Sequence, residues 1–379
     1  MGLAWDGGDP VVGNVVDPDS AITVDPASLA IVNRTPSALV GQESLSTLAL
    51  RPDGSLVVAR VPGSGLDDEG RLAHGRTVGL WQHDEFTSFG DVAGLVPGDP
   101  ARQAYAADAE GDVVVWAETS SVDLYQSPWR MFVWDGARPR LLARSEQVHP
   151  PGLPIVDGDS EPVISNGRAY WATSYPLVPN PAEGSTDWGM EVVSTPLTGE
   201  NQPLRIEASG VSRPLPFGSG VLVSAFQTVP TEHVHDGLAV MDGAGTGGSA
   251  SLVRASRTGT EIIESDTDGS RVALVVAHAR GNAVVTLDTE ARSATIFPGV
   301  RSRTASVAQC GPRTVWSFAD GSGIDKQPVW LYDSDTQALT KIDVTGNYGA
   351  VYCAGDLIAW KSLSDPANAL ATTTVVDAP

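Results

Sequence analysis

Leu50-Arg51-Pro52-Asp53-Gly54-Ser55-Leu56-Val57-Val58-Ala59 contains the unit from which the chain is built. Pro presets φ for a turn, Asp hydrogen-bonds its own backbone, and Gly supplies a positive φ. The turn then releases a short apolar run of strand length. The same order, a Gly turn and then a short apolar strand, recurs along the chain. The further copies are Asp108–Trp116, Ile164–Trp171, Phe217–Ser224, Asp266–Leu274, Cys310–Trp316 and Cys353–Trp360. The turn glycines are 54, 111, 167, 220, 269, 311 and 355, spaced 57, 56, 53, 49, 42 and 44 residues apart.

A second repeat follows each first one: an alternating strand, a polar turn, another short strand. Clear copies are Met131-Phe-Val-Trp-Asp-Gly136 before Arg140-Leu-Leu-Ala143, and Val329-Trp-Leu-Tyr-Asp333 before Leu339-Thr-Lys-Ile342. Inner strands precede the glycine turns, as at Leu45–Leu50, Gln103–Ala107, Ile262–Ser265 and Ala305–Gln309. No segment sustains a 3.6-residue period, so helices are expected to be few. Four antiparallel strands per repeat match the blade of a β-propeller. The reading is all-β: a seven-bladed propeller of four-stranded blades, with six or eight blades as the alternatives. The seventh unit lacks a fourth strand, and a spare one, Ser28-Leu-Ala-Ile-Val-Asn33, precedes the first. Residues 28–33 are therefore expected to close the ring. The division is 1–27 as a tether or extended segment and 28–379 as one propeller domain.

The Pro-Asp-Gly at 52–54 before Ser55-Leu-Val-Val-Ala59 resembles the TolB/WD40-like repeat, and Asp268-Gly-Ser-Arg-Val-Ala273 resembles it more weakly. The other copies keep the Gly and the strand. The resemblance implies the propeller fold and leaves function open, because such folds host unrelated activities.

Composition narrows the partners. The 379 residues carry 46 Asp+Glu against 24 Lys+Arg, a formal charge of −22. A nucleic-acid binder needs a basic footprint, and an anionic membrane surface repels this charge. No apolar run approaches the ~18 residues of a membrane span. Gly2-Leu-Ala-Trp5 reads as the tail of an apolar segment ending at an interfacial Trp, which suits an exported or tethered chain. A cytoplasmic start is the alternative. Only three basic residues are lysine (326, 341, 361), the mark of high-GC, bacterial coding.

Catalytic motifs fail. Gly247-Gly-Ser-Ala-Ser251 lacks the last Gly of a nucleophile elbow, and there is no His-Glu-x-x-His or Cys-x-x-Cys. A prolyl-oligopeptidase-type enzyme needs a hydrolase domain beside its propeller, and seven blades fill these residues. The Asp-x-Asp turns at 157, 266 and 333 lack the Glu of a calcium loop. They read as ordinary turns.

Cys310 and Cys353 end inner strands at equivalent positions of adjacent units. A disulfide between them is expected, implying an oxidising compartment; two buried thiols in a reducing cytosol are the alternative. Trp116, Trp171, Trp316 and Trp360 fall on second strands, where they are expected to pack between blades with the indole N–H on a backbone acceptor.

One face, here the top, carries the connections between second and third strands and those between blades. Its long loops are read at 60–77, 119–130, 174–190 and 227–237. His74, His149, His233, His235 and His278 fall in or beside them, as do Tyr125, Trp129, Tyr175, Trp188 and Asp236. The aromatics suit stacking on a sugar or anchoring of a protein, or they pin the loops down. His233-Val-His235 suits zinc if both imidazoles share one side, and otherwise it is a polar loop. The expected function is non-catalytic recognition of a protein or cell-envelope glycan by a monomeric, extracytoplasmic domain without a cofactor. A His/Tyr/Asp funnel enzyme, lyase or hydrolase, and a cytosolic interaction hub are the alternatives.

Overall fold

The turn at Gly54 shows how the repeat works. Gly54 donates to the Arg51 carbonyl (2.9 Å) and Arg51 to that of Ser55 (3.0 Å). The Asp53 carboxylate accepts from the Ser55 amide and hydroxyl (3.0 and 2.6 Å). Gly54 has φ +83°, and a Cβ there would meet Val32 Cγ1 at 2.8 Å. Six of the seven expected turn glycines take a positive φ. In the fourth unit the role belongs to Gly218 (φ +56°); Gly220 opens the next strand, and the Met241 carbonyl occupies the space of a Cβ.

The computed structural model describes residues 2–379 except 37–43, 62–76, 97–102, 122, 124–126, 150, 154, 157–159, 183–184, 200–201, 230–231, 243–248, 280, 301–304, 319–327, 345–346 and 366–369. Seven sheets span 44–88, 103–144, 163–209, 211–255, 261–300, 305–342 and 347–377, numbered here as blades 1 to 7. Within each blade the strands pair antiparallel in chain order from the central channel outward. The core is divided into seven wedges, one between each pair of neighbouring blades. Trp116, Trp171, Trp316 and Trp360 fill four of them, as expected. Their indole partners differ from the expectation: Trp116 donates to Glu118 Oε1 (2.8 Å), and Trp171 finds no acceptor among the described residues.

The N-terminal segment runs as a belt around four blades. Strand β1 (Leu3–Trp5) pairs antiparallel with the outer strand of blade 4. Strand β2 (Asn14–Val15) pairs parallel with that of blade 5, and β3 (Ile22–Val24) parallel with that of blade 6. Strand β4 (Ile31–Arg34) then completes blade 7, pairing with Leu370–Asp377 and closing the ring as expected. Two short 3₁₀ turns, Pro18–Ser20 and Pro26–Ser28, step the belt from blade to blade. In each an Asp side chain (Asp17, Asp25) caps the amide two residues on, and Pro follows it. Trp5 is not interfacial. It is 4% exposed, packed with Leu3 and Val11 into the wedge between blades 4 and 5, and its ring lies 5.2 Å from the Arg292 guanidinium.

Cys310 and Cys353 are disulfide-bonded, with Cα atoms 5.9 Å apart, and join the inner strands of blades 6 and 7. Among the described residues no helix is long and apolar enough to cross a membrane.

Candidate functional site

The top face is built differently from the sequence reading at two of its loops. Residues 227–229 and 232–237 belong to two long paired strands, Gly220–Val229 and Glu232–Asp242. The connection at 174–190 is shortened to 177–187, because its flanking strands extend to Pro176 and start at Trp188. Polar residues at the ends of paired strands look like a loop in sequence, since backbone pairing leaves no mark on side-chain polarity.

Four of the expected surface residues are therefore interior. Trp129 and Trp188 begin strands and are 2% and 5% exposed. Trp129 donates to Thr173 Oγ1 (3.0 Å), and the same hydroxyl meets His149 Nε2 (2.9 Å). The hydroxyl satisfies both if it accepts from the indole and donates to an unprotonated Nε2. Burial lowers the His149 pKa to about 4, against the opposing charge of Glu146. His235 is buried beside Ser212 Oγ (3.3 Å) and Phe226. Tyr175 is half-buried across Gly189, whose missing side chain makes room for the ring. The His233 backbone lies in the hairpin strand, while its side chain, together with His74 and Tyr125, falls outside the described residues. Among the described residues no three His, Cys, Asp or Glu side chains form a metal-binding group.

Asp236 and His278 are brought together. Both line a cavity of ≈ 810 Å³ on the top face between blades 4 and 5. Gln227, Arg257, Glu261 and Asn282 share its walls. The Asp236 carboxylate accepts from Gln227 Nε2 (2.6 Å), and burial raises its pKa. Gln227 and Asp236 come from this strand pair, Arg257 from the blade 4–5 connection, and His278 and Asn282 from the tight turn of blade 5. The belt supports this rim: Ser256 N–H donates to the Gly2 carbonyl (2.6 Å), and Gly2 leaves room for Thr260 and Arg257. Gln227, Arg257 and Asn282 carry no signal of their own in the sequence, because nothing local shows that these connections face one another.

The channel holds a second set of polar groups, which the sequence reading did not name. Asp108 Oδ2 accepts from Ile164 N–H (2.6 Å), and Asp266 Oδ2 from Gln309 N–H (2.7 Å). Each bond ties an inner strand to that of the next blade. Tyr352 donates to the Thr47 carbonyl (3.2 Å), tying blade 7 to blade 1. Enclosure by the inner strands raises Asp108, and raises Asp266 and Glu264 to about 7. The Arg213 charge partly offsets the rise at Glu264. Asp108, Asp266 and Tyr352 work as ties between blades.

No family model matches the chain, and no curated protein matches it. Among solved structures it is similar to the β-propeller domain of the Trilobed protease from Pyrococcus furiosus (TM-score 0.54, 7% identity, over 89% of this chain and 96% of that one). That propeller has an open velcro topology, whereas β4 closes the ring here. The chain is also similar to a prolyl endopeptidase (TM-score 0.52, 14% identity, over 90% of this chain and 49% of that one). A third likeness is to Pyrococcus horikoshii acylaminoacyl peptidase (TM-score 0.51, 8% identity, over 86% and 50%). The chain thus spans about half the length of these two peptidases. At such identities the likeness is one of fold: the chain is a closed seven-bladed β-propeller resembling the propeller domains of peptidases.

Proposed function

We propose that the protein is a non-catalytic recognition domain that binds a hydroxyl-rich envelope glycan in the groove between blades 4 and 5. One observation carries the reading: Asp236, His278, Gln227, Arg257 and Asn282, from three separate connections, line one polar cavity. Convergent amide, carboxylate and imidazole groups suit the donor and acceptor pattern of sugar hydroxyls. Asp108 and Asp266 in the channel and the buried His149 and His235 are engaged in structural bonds, which favours binding over catalysis. The Cys310–Cys353 bond fits an oxidising, extracytoplasmic setting. Calorimetric titration with soluble envelope oligosaccharides tests the proposal. Asp236→Ala with His278→Ala should weaken binding about tenfold or more, equivalent to the loss of one or two good hydrogen bonds. Unchanged affinity in that variant overturns it.

A second reading has support from the fold comparison: the propeller presents peptides to a hydrolase, as a domain like those of the peptidases above. Saturable binding of unstructured peptides in the same groove, with no response to oligosaccharides, would favour it.

A further inference from the structure

The groove between blades 4 and 5 holds opposite charges that the protein does not bring together. On the blade 4 wall, Asp236 interrupts the pairing of Gly220–Val229 with Glu232–Asp242. Ala225 faces Gly237 and Phe226 faces His235, so Asp236 is the extra residue of a β-bulge. A bulge bends its strand and re-aims the side chain of the inserted residue. Here that side chain lines the cavity. Its carboxylate accepts from Gln227 Nε2 (2.6 Å) and forms no ion pair with any described residue. Burial raises its pKa, as expected of a carboxylate short of positive charge.

Arg257 stands on another wall. It starts the turn Arg257–Thr260, closed by the Thr260 N–H on the Arg257 carbonyl (3.2 Å) with Gly259 at φ +76°. The Arg257 stem rests on the belt: a Cβ on Gly2 would meet its Cβ at 3.1 Å and its Cγ at 3.4 Å. Arg257 forms no ion pair and no side-chain hydrogen bond among the described residues. Carboxylates are not scarce. Asp+Glu outnumber Lys+Arg 46 to 24, and Asp236 and Glu261 line the same cavity. Elsewhere Arg51, Arg130 and Arg313 are each paired with an acid. Two separate elements, the bulge and the belt-backed turn, therefore hold Asp236 and Arg257 apart across the cavity.

This separation constrains the occupant. A neutral sugar, once seated, leaves both charges without water or partner, which is costly. A purely acidic sugar is opposed by Asp236, and a purely basic one by Arg257. A ligand with an ammonium and a carboxylate satisfies both, and the planar guanidinium matches a carboxylate with two parallel N–H bonds. The amides of Gln227 and Asn282 on the same walls suit the hydroxyls.

We propose that the groove selects a zwitterionic sugar, one bearing an amine and a carboxylate, with the ammonium set against Asp236 and the carboxylate against Arg257. The proposal rests on the glycan reading above and narrows its ligand.

The test titrates the full chain with muramic acid, which carries both charges, and follows binding by calorimetry. N-acetylmuramic acid lacks the ammonium, and glucosamine lacks the carboxylate. Each should bind about tenfold more weakly than muramic acid, the size of one hydrogen bond to a charged group. Arg257→Gln should erase the preference over glucosamine, and Asp236→Asn the preference over N-acetylmuramic acid. Equal affinity for the three sugars overturns the proposal, as does an unchanged preference in either variant. So does tighter binding of alanylalanine, which is zwitterionic but has no sugar hydroxyls. If none of the three sugars binds while neutral envelope oligosaccharides do, the proposal falls and the glycan reading stands. If no sugar binds at all, both fall.

Discussion

Blades 4–7 and blades 1–3 solve the same packing problem with different material. Polar ties cross the blade boundaries in both halves: Arg51 to the Gly111 carbonyl (2.8 Å) and Asp108 to Ile164 in one, Arg313 to Asp356 (2.6 Å) and Asp266 to Gln309 in the other. What differs is the outer edge and, at one wedge, the filler: between blades 5 and 6 and between blades 6 and 7, Trp316, Trp330 and Trp360 again come from the blades' own strands. Trp116, Trp129 and Trp171, from the blades' own strands, fill the wedges among blades 1–3. The wedge between blades 4 and 5 is aliphatic, and its buried tryptophan, Trp5, comes from the belt. The belted half also has extra edge strands and the disulfide. A repeat with weak fillers can thus be completed by a segment remote in sequence. The cavity between blades 4 and 5 lies where that segment meets the blades.

The largest expected effect removes the distinction. Deleting residues 1–24 strips Leu3, Trp5 and Val11 from their wedge. Each is worth about 1.5–3 kcal/mol of burial, so stability should fall by on the order of 5 kcal/mol or more. Urea unfolding checks this, and an unchanged midpoint would make the belt an ornament. Next, Trp171→Ala opens a cavity in the unbelted half at a fully buried site and should cost about 3–5 kcal/mol. A loss below about 1 kcal/mol would show that the bare wedges relax in a way close-packed cores do not. Third, Cys310→Ser with Cys353→Ser should cost about 2–4 kcal/mol. The loss should be greater when the belt is also absent, since β3 and β4 link the same two blades. Strict additivity in the combined variant would show that belt and bridge act independently.

The smallest effect is a difference of sign. His149, in the bare half, has its pKa lowered to about 4 from 6.5. The folded state binds fewer protons in that window, so this contribution is lost as pH falls from about 6.5 to 4. Glu264 and Asp266, in the belted half, are raised to about 7. There the folded state holds more protons between about pH 4 and 7, so this contribution is lost as pH rises across that window and is gone above about 7. His149→Gln should lessen the loss of melting temperature as pH falls from about 6.5 to 4, and Asp266→Asn should lessen the opposing loss as pH rises from about 4 to 7. A change of the opposite sign in either variant would refute its prediction.

The fold was legible because turn chemistry is local. A Gly after Asp or Asn and a following apolar run need no knowledge of the rest of the chain. The disulfide was legible for a related reason, since equivalent positions in adjacent repeats are neighbours. The belt was missed beyond its closing strand, although Asp17-Pro-Asp-Ser20 and Asp25-Pro-Ala-Ser28 repeat the same capped turn. Strands of two or three residues have no periodicity to read, and their partners lie far along the chain. The candidate site divided on the same ground. Asp236 and His278 reach a common cavity, but the residues that complete it depend on how three connections face each other. Trp129 and Trp188 read as loop aromatics because strands begin at those residues, a boundary that polarity alone does not mark.

The belt also sets an order of events during synthesis. Leu3 pairs with Ala255, Asn14 with Thr295, Ile22 with Thr340 and Ile31 with Val376. Residues made early thus wait for partners made late, and each successive belt strand waits for a later blade. Contacts so distant in the chain are slow to form, and unpaired strands invite wrong partners in the meantime. The nascent chain therefore carries its own clasp open until the last blade exists. The ring fastens from blade 4 toward blade 7 in the same direction that the chain is made.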